Sequence, residues 1–265
     1  MDYCSIASGS SGNCTFAGTE NTSILVDAGI PGRRIEEGLR MLDRRPDELD
    51  GILVTHEHID HIKSIGVLCR KYRIPVYGTR GTLNYILGSS SMGRLDPALF
   101  HVIREDEVFR IGDLDVHPFH ICHDAAQPVG YRLGDGKSTF AVATDIGSYD
   151  EYTVSMLSGL DGLLLEANHD VNMLQVGPYP YPLKRRILGE NGHMSNEAAG
   201  RLLCDILHDG LKSVLLGHLS KENNYEALAY ATVTSEITMG DNPYRGDDFD
   251  IQVASRDHPS PCFHI

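Results

Sequence analysis

Short apolar runs alternate with segments of helical spacing along most of the chain. A short apolar run bounded by turn residues predicts a buried strand, and apolar positions three and four residues apart predict an amphipathic helix. On this basis we predict strands at 21–27, 51–55, 76–78, 162–166, 213–217 and 250–255, and helices at 31–42, 60–72, 79–87, 150–157, 196–208 and 222–239. Strands that alternate with helices in this way favour an α/β fold.

The middle of the chain, residues 100–145, has the pattern of β-structure alone. Residues 129–133 and 139–144 flank Gly134-Asp135-Gly136, which is a hairpin signal. Residues 177–191 are rich in Pro, Tyr and Gly and are predicted to form a loop. Each half of the chain runs through strands and then helices. We therefore predict two sheets packed face to face with helices outside, a four-layer αββα sandwich in one domain that spans residues 1–265.

Composition and charge narrow the class of protein. A hydrophobic content of 41% excludes a disordered chain. The net charge of −14 argues against a protein that coats polyanions, and an enzyme acting on polyanions would need metal ions or a local basic patch. The sequence shows neither a bilayer-spanning apolar run nor a signal-peptide pattern, and its six cysteines are scattered. These features predict a cytoplasmic protein with reduced thiols and no membrane partner.

A cluster of metal-ligand residue types follows the predicted strand 51–55. The segment Thr55–His61 reads THEHIDH, in which His56 and His58 leave an extended backbone on the same side. Asp60 and His61 then lie where the chain turns into a helix. One short loop can therefore direct four ligands at two neighbouring metal ions. The alternative interpretation is a polar surface loop with incidental histidines.

Other ligand-type residues stand at the ends of apolar strands. Asp27 follows Ile24-Leu25-Val26, Asp145 follows the run that ends at Thr144, and His218 follows Val214-Leu215-Leu216-Gly217. The carboxyl ends of strands are where α/β sheets place their sites. One such residue would be an ordinary strand terminus, but three of them beside THEHIDH predict a common centre.

These motifs resemble the metallo-β-lactamase superfamily, and more finely its bacterial YycJ/WalJ/VicX branch. The resemblance covers nearly the whole chain and rests on ASGSSGN (7–13), LVDAG (25–29), GILVTHEHIDHI (51–62), HDAAQPVGY (123–131), EANHD (166–170), GHMSNEAAG (192–200) and GHLSKENN (217–224). It implies the αββα fold, two bound metal ions and a 5′→3′ exonuclease activity on DNA. Spacing alone indicates only a two-metal hydrolase.

The resemblance also implies roles for individual residues. It places His56, His58 and His123 on one metal ion, Asp60, His61 and His218 on the other, and Asp145 between them, with Asp27 orienting a ligand from behind. His123 is preferred to His117 and His120 because it heads HDAAQPVGY. Mixed histidine and carboxylate ligands suit Zn²⁺, Mn²⁺ or Fe²⁺, so the identity of the metal stays open.

A second group of residues is predicted on the leaving-group side. Glu166 ends a strand and His193 opens GHMSNEAAG, which resembles the ribonuclease Z arrangement in which a glutamate orients a histidine that protonates the leaving oxygen. The alternative is that His193 merely precedes a helix cap. Weaker substrate contacts are predicted at Ser10 and Asn13, in a Gly/Ser turn, and at Arg186, in the densest basic run.

The expected function is a two-metal phosphodiesterase that acts on nucleic acid. DNA is the expected substrate and DNA repair a candidate role, with RNA as the alternative substrate. A thioesterase or lactonase of the same fold would use the same metal ligands but would not need Glu166 and His193. A further alternative is a non-enzymatic regulatory partner stabilised by metal. The sequence leaves strand polarity and oligomeric state open.

Overall fold

Two seven-stranded sheets pack against each other in this computed structural model, which describes residues 1–265. The first sheet has the order β14-β1-β2-β3-β4-β5-β6. Its strands β3 to β6 are parallel, and β14, β1, β2 and β3 pair antiparallel. Its strands are β1 (Asp2–Ala7), β2 (Cys14–Gly18), β3 (Ser23–Val26), β4 (Gly51–Leu53), β5 (Val76–Thr79), β6 (Phe100–Ile103) and β14 (Phe263–His264).

The second sheet repeats this division into an antiparallel and a parallel half. Its order is β13-β12-β11-β10-β9-β8-β7, with β10 to β13 parallel and β7 to β10 antiparallel. Its strands are β7 (Phe109–Ile111), β8 (Leu114–His120), β9 (Val129–Gly134), β10 (Thr139–Ala143), β11 (Gly162–Glu166), β12 (Ser213–Gly217) and β13 (Ile251–Val253).

The chain forms nine α-helices. They are α1 (Gly32–Met41), α2 (Ile59–Ile62), α3 (Ile65–Tyr72), α4 (Arg80–Gly88), α5 (Glu151–Leu157), α6 (Val171–Val176), α7 (Tyr181–Ile187), α8 (Asn196–Ile206) and α9 (Glu226–Met239). One apolar core lies between the sheets, a second joins α1, α3 and α4 to the first sheet, and a third joins α5, α8 and α9 to the second. The predicted four-layer αββα sandwich is confirmed.

The predicted helix 60–72 is wrong as one element, since it is divided between α2 and α3. The carbonyl oxygens of Asp60 and His61 accept hydrogen bonds from the backbone N–H of Asn13 and Ala28, each at 2.8 Å, and so cannot continue a helical ladder. Gly29 makes this contact possible, because a Cβ there would lie 1.6 Å from the carbonyl oxygen of Asp60. The break holds the β3 loop against the metal-ligand motif.

The loop predicted at 177–191 is also wrong in part, since it contains α7. Pro180 is the N-cap of this helix and Pro182 lies in its first turn. Proline is tolerated there because the first N–H groups of a helix have no intrahelical partner. None of the nine helices combines the length and apolarity that a membrane span requires, and all six cysteines are free thiols.

Candidate metal centre

The strand ends that carry ligand-type residues share an unusual backbone conformation. Asp27, Asp145 and His218 have φ angles of 63°, 60° and 55°, and all three are buried. This left-handed region costs a non-glycine residue about 1–3 kcal/mol and persists only where the surroundings impose it. The turn directs each side chain onto the edge where the parallel strands of both sheets end.

The first group of side chains at this edge consists of three imidazoles. His58 Nδ1 lies 3.0 Å from His56 Nε2 and 3.2 Å from His123 Nε2. The ligand atoms of all three lie within 4.8 Å of one another, which is close enough to hold one ion. His117 and His120 belong to no such group, and His120 instead stacks on Tyr152.

The second group consists of Asp60, His61 and His218, with Asp145 beside it. Asp60 Oδ2 lies 3.4 Å from His218 Nε2 and 3.5 Å from His61 Nε2. The Asp145 carboxylate lies between the groups, with Oδ1 3.7 Å from His123 Nε2 and Oδ2 3.3 Å from His61 Nε2. The structure therefore brings together all seven residues that the sequence predicts as metal ligands.

Three of the imidazoles have their Nδ1 atom, on the side of the ring away from the cluster, within hydrogen-bond distance of an oxygen acceptor. His61 Nδ1 lies 2.7 Å from Asp27 Oδ2, and His218 Nδ1 lies 2.8 Å from Glu166 Oε1. His123 Nδ1 lies 3.0 Å from the carbonyl oxygen of Gly192. Each acceptor favours the proton on Nδ1 and directs Nε2 toward the cluster, which is the orientation of a metal-binding imidazole. Asp27 also accepts from the backbone N–H of Thr55, which fixes the start of the motif.

Charge and unpaired polar atoms indicate that the cluster fits divalent cations. Asp145 Oδ2 is buried and has no hydrogen-bond partner, a costly state that a bound cation would relieve. Burial and the neighbouring imidazoles of His61 and His123 lower the pKa of His56 well below its usual value, so it is a neutral ligand. Burial would lower the pKa of His218, but Asp145, Asp60 and Glu166 outweigh burial and raise it to about 10. The acidic side of the cluster therefore favours positive charge.

Glu166 uses both of its carboxylate oxygens within the protein. Oε1 accepts from His193 Nδ1 at 2.9 Å and from His218 Nδ1 at 2.8 Å. Oε2 accepts from the backbone N–H groups of Ile146 and Met194 at 2.8 and 3.0 Å. With four hydrogen bonds, this carboxylate has no lone pair left for a metal ion. The contact with His218 has no signal in the sequence, which predicts only the contact with His193.

His193 faces the cavity in front of the cluster. Its Nδ1 is held by Glu166, its side chain is 17% exposed, and it lines this cavity together with Asp60 and His218. The loop before it fits closely against Gly147, where a Cβ would lie 2.3 Å from the carbonyl oxygen of Glu190. The ring therefore presents Nε2 to whatever occupies the cavity.

The three residues predicted as weaker substrate contacts do not all lie at the cavity. Ser10 and Arg186 line the cavity, but Asn13 does not. The Asn13 side chain is instead buried: its oxygen accepts from Gly9 N–H, and its amide nitrogen lies 3.1 Å from His61 Nε2. Arg186 pairs with Asp124, a residue that the sequence prediction missed and that lies 3.5 Å from His123 Nε2.

Comparison with known proteins agrees with this geometry. Residues 22–218 match the model of the beta-lactamase superfamily domain. The chain belongs to this superfamily. Within the superfamily, it is 38% identical over 263 residues to the exodeoxyribonuclease WalJ of Streptococcus pneumoniae, covering 99% of this chain and 97% of that one. It is 37% identical over 237 residues to the exodeoxyribonuclease YycJ of Bacillus anthracis, covering 89% of each. The predicted resemblance to the YycJ/WalJ branch is therefore confirmed.

A solved structure of the superfamily supports the fold independently. Zn²⁺-bound PqqB from Methylobacterium extorquens superposes with a TM-score of 0.72 over all of both chains, at 16% sequence identity. At this identity, the likeness shows the fold alone. The family and the histidine and aspartate cluster together indicate a site for divalent metal ions.

Proposed function

We propose that this chain is a two-metal phosphodiesterase that degrades DNA as a 5′→3′ exonuclease. The observation that carries the proposal is the Glu166–His193 pair beside two groups of metal-ligand side chains. Such a pair serves a reaction whose leaving group needs a proton, as a phosphodiester does. The relatives named above are exodeoxyribonucleases at 37–38% identity, which supports DNA rather than RNA as the substrate.

The proposed metal sites follow the two groups in the structure. One would be held by His56, His58 and His123, the other by Asp60, His61 and His218, with Asp145 shared. Bound divalent ions supply Lewis acidity to the phosphoryl oxygens and lower the pKa of water. They also offset the formal charge of −14 where an anionic substrate must approach.

The residues of the chain position the leaving group. Glu166 accepts a hydrogen bond from His193 Nδ1, which restrains the ring at the cavity wall and leaves Nε2 for the leaving group. Burial would raise the pKa of Glu166, but His193 and His218 outweigh burial and lower it, so the carboxylate stays ionised. His193 would donate its Nε2 proton to the departing deoxyribose oxygen and regain a proton from solvent. Ser10 and Arg186 lie at the same cavity, where they would contact phosphate oxygens.

Two rival functions predict different outcomes when candidate substrates are tested. A thioesterase of this fold releases a thiolate. A thiolate departs without protonation, so the reaction would not need His193 as a general acid. A metal-stabilised binding protein would hydrolyse nothing. The experiment that separates them is digestion of 5′- and 3′-labelled DNA and RNA, single- and double-stranded, with a thioester in parallel and across a series of divalent metals.

In this experiment, we expect 5′-labelled DNA to release its label as a mononucleotide in the earliest samples, and 3′-labelled DNA to shorten stepwise. Faster turnover of the thioester than of any nucleic acid would favour the rival hydrolase. No hydrolysis by metal-loaded protein would favour the binding protein. Faster hydrolysis of RNA than of DNA would support the proposed mechanism but would identify RNA as the substrate.

Metal content provides a second test, because the two proposed groups have no histidine in common. We expect two divalent ions per chain after stripping and reconstitution, measured by inductively coupled plasma mass spectrometry on desalted protein. His58→Ala should remove one of them, since His58 belongs only to the first group. A single ion per chain in the wild type, at saturating metal, would refute the two-metal assignment.

A further inference from the structure

The cavity in front of the metal cluster has an apolar side that none of the roles above uses. The cavity has a volume of about 330 Å³, and its apolar lining consists of Ile59, Tyr179, Leu183 and Ile187. None of these four side chains belongs to, or packs against, any of the three hydrophobic cores. Ile59 is 60% exposed although it lies inside the metal-ligand motif. Apolar side chains that converge on a cavity without serving the core mark a binding surface.

Tyr179 is the aromatic member of this surface, and its ring is unpartnered. Its hydroxyl makes no hydrogen bond within the protein, and its ring stacks on no other ring. Tyr152 offers a contrast, because it stacks on His120 and its hydroxyl donates to Asp106. Tyr179 therefore contributes nothing visible to the fold that would explain an aromatic residue at this position.

The backbone around Tyr179 is restricted on both sides. Pro178 precedes it and Pro180 follows it. Pro180 has a φ angle of −58°, close to the value of about −65° that the proline ring imposes. A residue before proline is itself confined to extended conformations. The backbone that carries the ring is therefore restricted before a ligand arrives, which lowers the entropy lost on binding.

We infer that Tyr179, with Ile59 and Leu183, forms a nucleobase subsite in which the base of the 5′-terminal nucleotide packs against the phenol ring. This inference rests on the proposed DNA exonuclease function and specifies how the substrate is held. The metal ligands face the phosphate from one side of the cavity, and the apolar lining accepts the base. A volume of about 330 Å³ is at the small end of ligand pockets, which suits one nucleotide rather than a base-paired end. Because every base has an aromatic face, the subsite binds all four without sequence preference.

The test pairs a change in the enzyme with a change in the substrate. Tyr179→Ala should lower kcat/KM on single-stranded DNA roughly 5- to 150-fold, the effect of losing one base–aromatic stack. An oligonucleotide whose 5′-terminal residue is abasic should show a loss of the same size with wild-type enzyme, and Tyr179→Ala should cause no further loss on it. Tyr179→Phe should retain wild-type rates, because only the hydroxyl is removed. The matched control is Tyr85→Ala, whose 56% exposed ring lines no part of this cavity.

A binding readout is available because the sequence contains no tryptophan. Tyr179→Trp places the sole indole of the chain in the subsite, and stacking of a base should quench its fluorescence. We expect quenching by a cleavage-resistant phosphorothioate oligonucleotide and little quenching by the same oligonucleotide with an abasic 5′ end.

Equal losses by Tyr179→Ala on the natural and abasic substrates would overturn the inference, as would a defect in Tyr179→Phe as large as that in Tyr179→Ala. Failure of the proposed function is a separate result, since wild-type enzyme would then hydrolyse neither oligonucleotide.

Discussion

Asp60→Ala is expected to reduce DNA hydrolysis below detection and to leave the fold intact. The lost carboxylate lies 3.4 Å from His218 Nε2 and 3.5 Å from His61 Nε2, so the variant lacks one ligand of the proposed second metal ion. The side chain is 21% exposed and belongs to no apolar core. Its backbone carbonyl still accepts from Asn13 N–H. The measurements are nucleotide release from labelled DNA, circular dichroism and thermal unfolding.

A matched control for Asp60 is Asp247→Ala, since the Asp247 side chain is 82% exposed and does not line the cavity. This variant should hydrolyse DNA at the wild-type rate. Metal analysis should show a lower content in Asp60→Ala and an unchanged content in Asp247→Ala. If folded Asp60→Ala degrades DNA at close to the wild-type rate, the assignment of the THEHIDH motif is wrong.

His193→Ala should slow DNA hydrolysis by about 10²–10⁴-fold, the range for loss of a general acid. Its metal content should not change, because the ring bonds to Glu166 and not to a proposed metal ion. An activated ester such as bis(p-nitrophenyl) phosphate releases a stable phenolate that needs little protonation. The defect should therefore be large on DNA and small on the activated ester, whereas Asp60→Ala should impair both.

Two companion variants sharpen the His193 experiment. Exposed His258 supplies the control, and His258→Ala should resemble wild type. If Glu166 served His193 alone, Glu166→Gln would repeat the His193 pattern more mildly. Because Glu166 also accepts from His218 Nδ1, we expect this variant to lose metal affinity and to impair both substrates. Loss of metal in His193→Ala itself, or equal defects on both esters, would mean that His193 is a ligand or a structural residue.

The strands whose bounds could be predicted from the sequence have all of their residues buried. The strands at 162–166 and 213–217 have the predicted bounds, since a parallel strand buried on both faces is a continuous apolar run. The N-terminal pair β1 and β2 was not predicted. Its strands carry buried serine and threonine, such as Ser5 and Thr15, that interrupt the apolar pattern. The helix after Pro180 was not predicted because prolines are disfavoured inside a helix, although they are tolerated in its first turn, where Pro182 lies.

The candidate site was predictable where its residues follow strand ends or share one short motif. Those two rules account for His56, His58, Asp60 and His61 in the motif and for Asp27, Asp145 and His218 at strand ends. Contacts between distant residues carry no local pattern. Glu166 meets His218 across 52 residues, and Arg186 meets Asp124 across 62. The first contact joins the ends of β11 and β12, the second joins α7 to the loop after β8, and only the folded structure reveals them.

The left-handed residues at the strand ends make the functional centre visible in the backbone alone. Six non-glycine residues have positive φ angles, and three of them, Asp43, Arg73 and Asp106, are exposed in turns or at a helix end. The other three, Asp27, Asp145 and His218, are buried and meet at the metal cluster. Glycine would adopt this conformation without strain, and the chain has 27 glycines elsewhere. A side chain kept at such a position, in spite of the strain, is there for its chemistry, so a map of φ angles and burial locates the centre even before any side chain is identified.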